Sequence, residues 1–288
     1  MIATRGCPYQ CTFCSSPQMW TTRYVTRNPR EVVDEIADYV ARYGVTNVDF
    51  CDLTALVKRE WILEFCRLLE ASGLEITWQL PVGTRSEALD EEVLRAVYRT
   101  GCSNVTYAPE SGSPRMLKNI KKRVHLSRLL DSLRAASRLG VVTRINTIIG
   151  HPDETRADIL QTFRFVLQCA LAGCRDLAVN IFAPYPGSED FDRLVREGEI
   201  TEIVPDYYFH LSRAGRGPRT FNPRMETGEL TVWLYAMLVA FYAVSYLSRP
   251  RRFLDVLASV LTGREESQVD QLIRTKYRQI QLFFGARK

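Results

Sequence analysis

Between residues 2 and 182, short β-branched or apolar runs alternate about six times with longer segments of helical periodicity. A chain patterned this way builds a parallel sheet, because parallel neighbours need a crossover and the helix supplies it. The strand-like runs are Ile2 to Arg5, Asn47 to Cys51, Glu75 to Leu80, Asn104 to Ala108, Thr143 to Ile149 and Leu177 to Phe182. The helical segments between them fall near 29–43, 58–72, 89–99, 125–139 and 155–172. Their ends carry suitable chemistry. Pro29 and Glu31 suit a first turn, Asp90, Glu91 and Glu92 complement a helix dipole, and Gly44, Gly73, Gly101, Gly140 and Gly173 stand where helices close. Right-handed crossovers leave two solutions, an open doubly wound sheet or a curved α/β barrel.

After Pro186-Gly187 the pattern changes. A short helix to Gly198 precedes an irregular stretch from Val204 to Glu226, and helical sequence follows, so the expected division is residues 1–203 and 204–288. Arg213, Arg216 and Arg219, set among glycines, read either as a solvated loop or as a lid over an anionic substrate. Leu230 to Leu247 is apolar nearly all round and is followed by Arg249-Pro250-Arg251-Arg252. Two readings compete for it: a buried helix of a C-terminal helical module, or peripheral contact with an anionic membrane through the C-terminal helices. Residues 1–248 carry 29 Lys+Arg against 29 Asp+Glu, and residues 249–288 carry 9 against 4, so the net +5 belongs to the tail. A neutral body argues against a nucleic-acid groove, and no nucleic-acid partner is expected.

The eight cysteines come without a secretory start, because MIATRGCPYQC has no basic opening followed by an apolar run; a reducing, cytoplasmic location is expected. Three of them crowd into Cys7-Pro8-Tyr9-Gln10-Cys11-Thr12-Phe13-Cys14, directly after the first strand, where an α/β barrel keeps its active-site loops. Three thiolates on one loop suit an iron–sulfur cluster. Four-iron clusters normally take four cysteines, so a set of three leaves one iron open to a ligand. The plainer readings are a zinc knuckle completed by a distant ligand, or three unrelated core cysteines. No histidine lies near in sequence, and Pro8 with its polar neighbours makes a poor core segment. Cys66, Cys102, Cys169 and Cys174 read as core packing, while Cys51 ends the second strand on the side of the cysteine loop. Lys118, Lys121, Lys122 and Arg123 read as a solvated face.

The C-x3-C-x2-C spacing, with an aromatic before the last cysteine, resembles the radical S-adenosylmethionine (radical SAM) superfamily. Further along, TRGCPYQCTFCSSP, REVVDEI, YAPESGS, IIGHPDET and APYPGS are similar in order and spacing to its cobalamin-binding group, which includes ring cyclases of chlorophyll synthesis and methylases of hopanoids and antibiotics. The resemblance implies an α/β fold, a partial (β/α)6 TIM-like barrel with a C-terminal helical module. It implies that Cys7, Cys11 and Cys14 hold a 4Fe–4S cluster whose open iron binds the amino and carboxylate groups of S-adenosylmethionine. An electron from a donor such as flavodoxin or ferredoxin would cleave the S–C5′ bond, giving a 5′-deoxyadenosyl radical that abstracts hydrogen from a small-molecule substrate.

Residue by residue, the resemblance places Phe13 beside adenine and Asp52 near the methionyl amino group, with Leu53 where the family shows a second acid. Glu110 and Ser111 match positions that meet the ribose hydroxyls and the amino acid end; the other reading of Glu110 is a turn cap. Gly150 would let backbone approach adenine, and His151 is either a polar loop residue or a cofactor or substrate contact. Tyr185, in Pro184-Tyr185-Pro186-Gly187, would line the adenine pocket. With Cys7 so near the start, 288 residues leave no room for the N-terminal cobalamin domain of that group, so cobalamin would come from a missing domain or a partner. The competing class is an iron–sulfur redox carrier or structural metal module without radical chemistry, which has no use for a nucleoside pocket at Glu110 and Gly150. A transfer-RNA methylthiolating enzyme is disfavoured by the neutral body and the lack of an RNA-binding domain.

Overall fold

Five of the six expected strands lie side by side in one parallel sheet: β3 (Asn47–Asp49), β4 (Thr77–Thr84), β5 (Cys102–Glu110), β6 (Val142–Ile149) and β7 (Asp176–Ile181), in that spatial order. The computed structural model describes residues 1–54, 57–84, 88–203, 207, 208, 220–254 and 275; Arg213, Arg216, Arg219 and most of the tail beyond Leu254 lie outside them. Each crossover carries a helix: α3 (Arg59–Ser72), α4 (Glu91–Arg99), α6 (Leu126–Leu139) and α7 (Arg156–Ala172), with α2 (Pro29–Tyr43) ahead of β3. Caps set the helix bounds where the sequence places them. Asn28 accepts from the Arg30 N–H, Asp90 from the Val93 N–H, and Thr155 with Asp158 closes a capping box. Three short elements, α1 (Ser16–Trp20), β2 (Val25–Thr26) and α5 (Pro114–Asn119), are too brief to leave a periodic signature.

The first expected strand is placed differently from the others. β1 (Thr4–Arg5) pairs antiparallel with β2 and meets the sheet only near its start, where the Met1 ammonium donates to the Asp49 carbonyl at 2.8 Å and the Cys51 N–H to the Met1 carbonyl at 2.9 Å. The partial α/β barrel therefore consists of five parallel strands with a hairpin seated at the β3 edge.

Side chains alternate faces along each strand, and the two faces differ in kind. Trp78, Leu80, Val105, Tyr107, Ile145 and Leu177 are buried in the main core with the helices. Phe50, Phe65 and Trp78 meet there edge to face, with ring centroids 5.4 to 5.6 Å apart. Each such fully buried side chain contributes about 1.5–3 kcal/mol. The opposite, concave face carries Gln79, Asn104, Thr106, Arg144, Asn146 and Asn180. Closed barrels fill this space with branched apolar residues; here it is polar. Two register shifts, between Leu80 and Thr84 and between Tyr107 and Glu110, interrupt the ladder at the C-terminal ends of β4 and β5. Such bulges re-aim side chains, and these two fall where the cysteine loop arrives.

The long apolar helix is α9 (Thr227–Ser248), which is long and apolar enough to cross a membrane by length and composition. One face of it is nonetheless built into the core: Leu230, Met237 and Phe241 are fully buried, and the helix packs on α7 and β7. Its basic flank is largely spent inside the molecule. Arg249 donates to the Ala170 and Leu171 carbonyls at 3.1 and 2.9 Å, and Arg252 to those of Cys174 and Gly173 at 3.0 and 2.6 Å. These acceptors lie at and just beyond the C-terminal end of α7, where orphan carbonyls and the helix dipole favour a cation.

Candidate functional site

The cysteine loop leaves β1 and is pinned at its middle residue. The Thr12 N–H donates to the Ile120 carbonyl at 3.2 Å, just past α5, and the Thr12 hydroxyl to the Asp190 carboxylate at 2.7 Å, in the first turn of α8 (Glu189–Arg196). The Asp190 N–H returns a bond to the Thr12 carbonyl at 2.9 Å. Held from both sides, the loop brings Cys7, Cys11 and Cys14, none of them in a disulfide and all half-buried, to one cavity of about 240 Å³. The opposite walls are the strand ends, with Gly83, Ala108, Glu110, Asn146 and Asn180, and Lys122 enters from beyond α5.

Thiols in one cavity fit an iron–sulfur cluster by the chemistry of the donor set. Among the described residues no three His, Cys, Asp or Glu side chains converge on a single metal position. A tetrahedral zinc site needs that convergence, whereas a cubane takes each thiolate on a different iron. Burial pushes the Cys14 thiol up, against the opposing pull of the Ser16 N–H at 3.4 Å and of the Lys122 cation. The thiol therefore keeps its proton at neutral pH and would give it up on binding a metal. The Thr54 hydroxyl lies 3.2 Å from the Cys7 sulfur and 2.8 Å from the Leu53 carbonyl.

Glu110 faces the thiols across the cavity with its backbone at φ +67°, a left-handed conformation that costs a non-glycine residue about 1–3 kcal/mol. Lys122 donates to its carboxylate at 2.9 Å and lies 6.0 Å from the Phe13 ring centroid. Both side chains of this pair are about nine-tenths buried, at 9% and 10% exposure. Lys122 is thus not part of a solvated face. Lys121, at φ +54°, turns the chain after α5; its own side chain pairs with Glu189 at the surface while its neighbour enters the cavity. Nothing in the sequence pattern distinguishes the two lysines. Asn146 and Asn180 carry no motif of their own, although strand alternation puts both on the concave face.

Of the expected ligand residues, Phe13 and Glu110 line the cavity and the others do not. Asp52 is 1% exposed and spends its carboxylate on the start of the chain: it accepts from the Ala3 N–H at 3.0 Å, from the Thr4 N–H, and from the Thr4 hydroxyl at 2.6 Å. It clamps β1 and does not line the cavity of the thiols. Ser111 is fully buried, with its oxygen 3.1 Å from the Thr162 hydroxyl and accepting from the Ser113 N–H at 3.1 Å. Gly150, at φ +84°, answers to packing: a Cβ there would come within 2.6 Å of Leu230 on α9. Tyr185 is half exposed, and its carbonyl accepts from the Ser188 N–H at 3.1 Å.

His151 stands behind the cavity, its ring 5.9 Å from Phe13 and 4.8 Å from Phe182 by centroids. Burial pushes its pKa down to about 3, and neither ring nitrogen has a partner. Beside it, burial pushes Glu154 up to about 8, although the Gly150 and His151 N–H groups both donate to it. The two groups have opposite linkage. Unfolded histidine takes a proton below 6.5 and the folded one only below about 3, so stability rises with pH across that window. Glu154 keeps its proton to about 8 in the fold but loses it near 4.5 when unfolded, so stability falls from 4.5 to 8. Their joint contribution climbs to pH 4.5, is level to 6.5 and declines to 8, with limiting slopes of about 1.4 kcal/mol per pH unit. Urea unfolding across this range measures it, and Glu154→Gln should remove the decline above 6.5.

A family profile for the radical SAM superfamily matches residues 1–166. An uncharacterized methyltransferase of Pyrococcus horikoshii is 26% identical over 251 residues, covering 87% of this chain and 51% of its own length. An anaerobic magnesium-protoporphyrin IX monomethyl ester cyclase of Cereibacter sphaeroides is 26% identical over 199 residues, 68% of this chain and 32% of its own. The chain thus spans about half, or less, of the length of these curated relatives. Among solved structures, the radical SAM methyltransferase TsrM of Kitasatospora setae, with cobalamin and a 4Fe–4S cluster bound, aligns with a TM-score of 0.59 at 18% identity, over 71% of this chain and 38% of its own; the likeness is one of fold. Radical SAM domains take a 4Fe–4S cluster and S-adenosylmethionine as cofactors. The matched region contains the cysteine loop and most of the cavity wall, and the chain belongs to the radical SAM superfamily.

Proposed function

We propose that this chain is the catalytic barrel of a radical SAM enzyme that activates a C–H bond of a small molecule for methylation or cyclisation. The observation that carries the reading is one cavity holding three thiols on one side and the buried Glu110–Lys122 pair on the other. Cys7, Cys11 and Cys14 would hold the cluster. When bound, the reduced cluster supplies the single electron that cleaves S-adenosylmethionine into methionine and a 5′-deoxyadenosyl radical. The Lys122 ammonium suits the carboxylate of the methionyl end, and Glu110 suits its amino group or the ribose hydroxyls. Phe13, backed by His151 and Phe182, offers an apolar ring to adenine. A redox carrier or structural metal module has no use for that charged pair, and its buried setting opposite the thiols speaks for a bound organic cofactor.

Below this level the concave face remains polar, and the Asn146 Oδ1 atom, on the cavity wall, is buried without a hydrogen-bond partner. A substrate that brings a donor would satisfy it. Any cobalamin would have to come from outside these residues, and a protein donor would supply the electrons. All eight cysteines are free, as suits the reducing cytoplasm where we place the enzyme. Anaerobic reconstitution with iron and sulfide, reduction, and assay for 5′-deoxyadenosine test the reading; a protein that takes up no cluster, or forms none of the nucleoside, overturns it.

Thr54 supplies a prediction that does not need turnover. A hydrogen bond to a ligating sulfur stabilises the more negative, reduced cluster. Thr54→Val removes the hydroxyl beside Cys7 and should make the reconstituted cluster harder to reduce, while Thr54→Ser restores the potential, as read by redox titration monitored by electron paramagnetic resonance.

A further inference from the structure

The left-handed backbone of Glu110, at φ +67°, is one that a glutamate adopts only when its surroundings impose it. What imposes it is the turn that follows, Ser111-Gly112-Ser113, which lies against α7. Gly112 is pressed so closely on that helix that a Cβ would come within 2.5 Å of the Phe165 Cβ and 2.7 Å of the Thr162 Cα. Its N–H donates to the Thr162 hydroxyl oxygen at 3.0 Å, and the same oxygen lies 3.1 Å from the Ser111 Oγ. The Thr162 hydroxyl donates in turn to the Asp158 carbonyl at 3.1 Å, so its proton is committed to its own helix and its lone pairs face the turn. The Ser113 hydroxyl donates to the Asp158 carboxylate at 2.6 Å. Ser111, Ser113 and Thr162 are all fully buried.

The same dock governs the other charge of the pair. Ser113 caps α5 by accepting from the Met116 N–H at 3.3 Å, and the left-handed turn at Lys121, just beyond that helix, delivers Lys122 to the Glu110 carboxylate. Glu110 and Lys122 therefore stand at the two ends of one short segment, and Thr162 sits where that segment is fastened to α7. Threonine is a poorer choice than alanine or leucine for a helix interior. Here its oxygen serves the neighbouring turn.

We propose that Thr162 is a positioning residue for the S-adenosylmethionine site: through Gly112 and Ser111 it locks Glu110 in the left-handed conformation and so fixes the Glu110–Lys122 pair before the ligand arrives. The inference rests on the cofactor role proposed for that pair. Without the Thr162 oxygen the Gly112 N–H loses its acceptor, and the Glu110 backbone relaxes to negative φ. Its carboxylate then leaves Lys122, and part of the binding free energy of the ligand goes into restoring the arrangement.

Two measurements on the full chain test this, and the first needs neither cluster nor turnover. In the metal-free chain, acetylation of Lys122 by acetic anhydride is followed by peptide mass spectrometry, with the exposed Lys118 as internal standard. Wild-type Lys122, 9% exposed and ion-paired, should react slowly. Thr162→Val keeps the shape and loses the hydroxyl; it should label Lys122 several-fold faster at an unchanged Lys118 rate, and Thr162→Ser should restore the protection. In the reconstituted chain, binding of S-adenosylmethionine is measured by equilibrium dialysis. Thr162→Val should weaken it about tenfold and Thr162→Ser should not. In a Glu110→Ala background the valine should add no further loss, because no carboxylate remains to be misplaced. If Thr162→Val does not fold, as read by far-UV circular dichroism, Ser111→Ala takes its place, since it removes the oxygen between Thr162 and Ser113. Equal Lys122 labelling in wild type and valine variant overturns the proposal. So does a loss of binding that is the same with and without Glu110, the mark of a general loosening of α7. A loaded wild type that binds no S-adenosylmethionine overturns the cofactor reading of the pair and this inference with it, whereas wild type and valine variant binding equally well overturn the inference alone.

Discussion

Replacing Cys7, Cys11 and Cys14 together by alanine should abolish iron uptake and reduce 5′-deoxyadenosine to the protein-free background, while the fold survives. The loop does not depend on its thiols for shape. Its backbone is held by the Thr12 bonds to Ile120 and Asp190, and the cysteines are only half-buried, so truncation removes little packing. Far-UV circular dichroism and the melting temperature of the triple variant should stay close to those of the metal-free wild type. Each single alanine variant should also lose activity, because in the proposed cluster each thiolate would hold its own iron. Full activity in any of the three would remove that cysteine from the cluster.

Asp52→Ala should cause the largest loss of stability from a single substitution in the hairpin. The carboxylate receives the Ala3 and Thr4 N–H groups and the Thr4 hydroxyl in a buried setting, and alanine leaves all three donors without an acceptor. A cost of about 3–4 kcal/mol follows, and the melting temperature falls by roughly 6–12 °C. Asp52→Asn keeps one acceptor oxygen and should cost about half as much. Because β1 leads directly into the loop, the alanine variant should also retain less iron than the wild type after reconstitution and desalting. If Asp52 instead served the methionyl amino group, its alanine variant would melt normally and lose only affinity for S-adenosylmethionine; measuring both quantities separates the two roles.

The fold was legible where local signals are strong. β5, β6 and β7 alternate β-branched and polar residues, and the helices between them carry caps that fix their ends, so their positions follow from the sequence. The pairing of β1 was not legible. It involves two residues of each strand and depends on a carboxylate from beyond β3, a contact that no periodicity announces. At the site the cysteines and Glu110 were readable because their chemistry is local to a motif. The motif positions Asp52, Ser111 and Gly150 looked the same in sequence, yet their contacts within the protein, with Thr4, Thr162 and Leu230, lie far along the chain. A motif marks what a site requires and does not say whether a residue touches the ligand or the wall. Lys122 is the converse case, a residue in contact with the cavity that only the turn at Lys121 reveals.

The sheet divides two duties between its faces. The apolar core lies on the helix side, so Asn146 and Asn180, on the concave side and on the cavity wall, carry little of the folding energy. Exchanging them should alter what the cavity admits at small cost to stability. The cysteine loop is anchored independently, through Ile120 and Asp190, so its geometry is insulated from such changes. On the proposed function a chain built this way is a chassis: the part that would start the reaction is fixed by backbone bonds, and the part that would choose the molecule is free to drift.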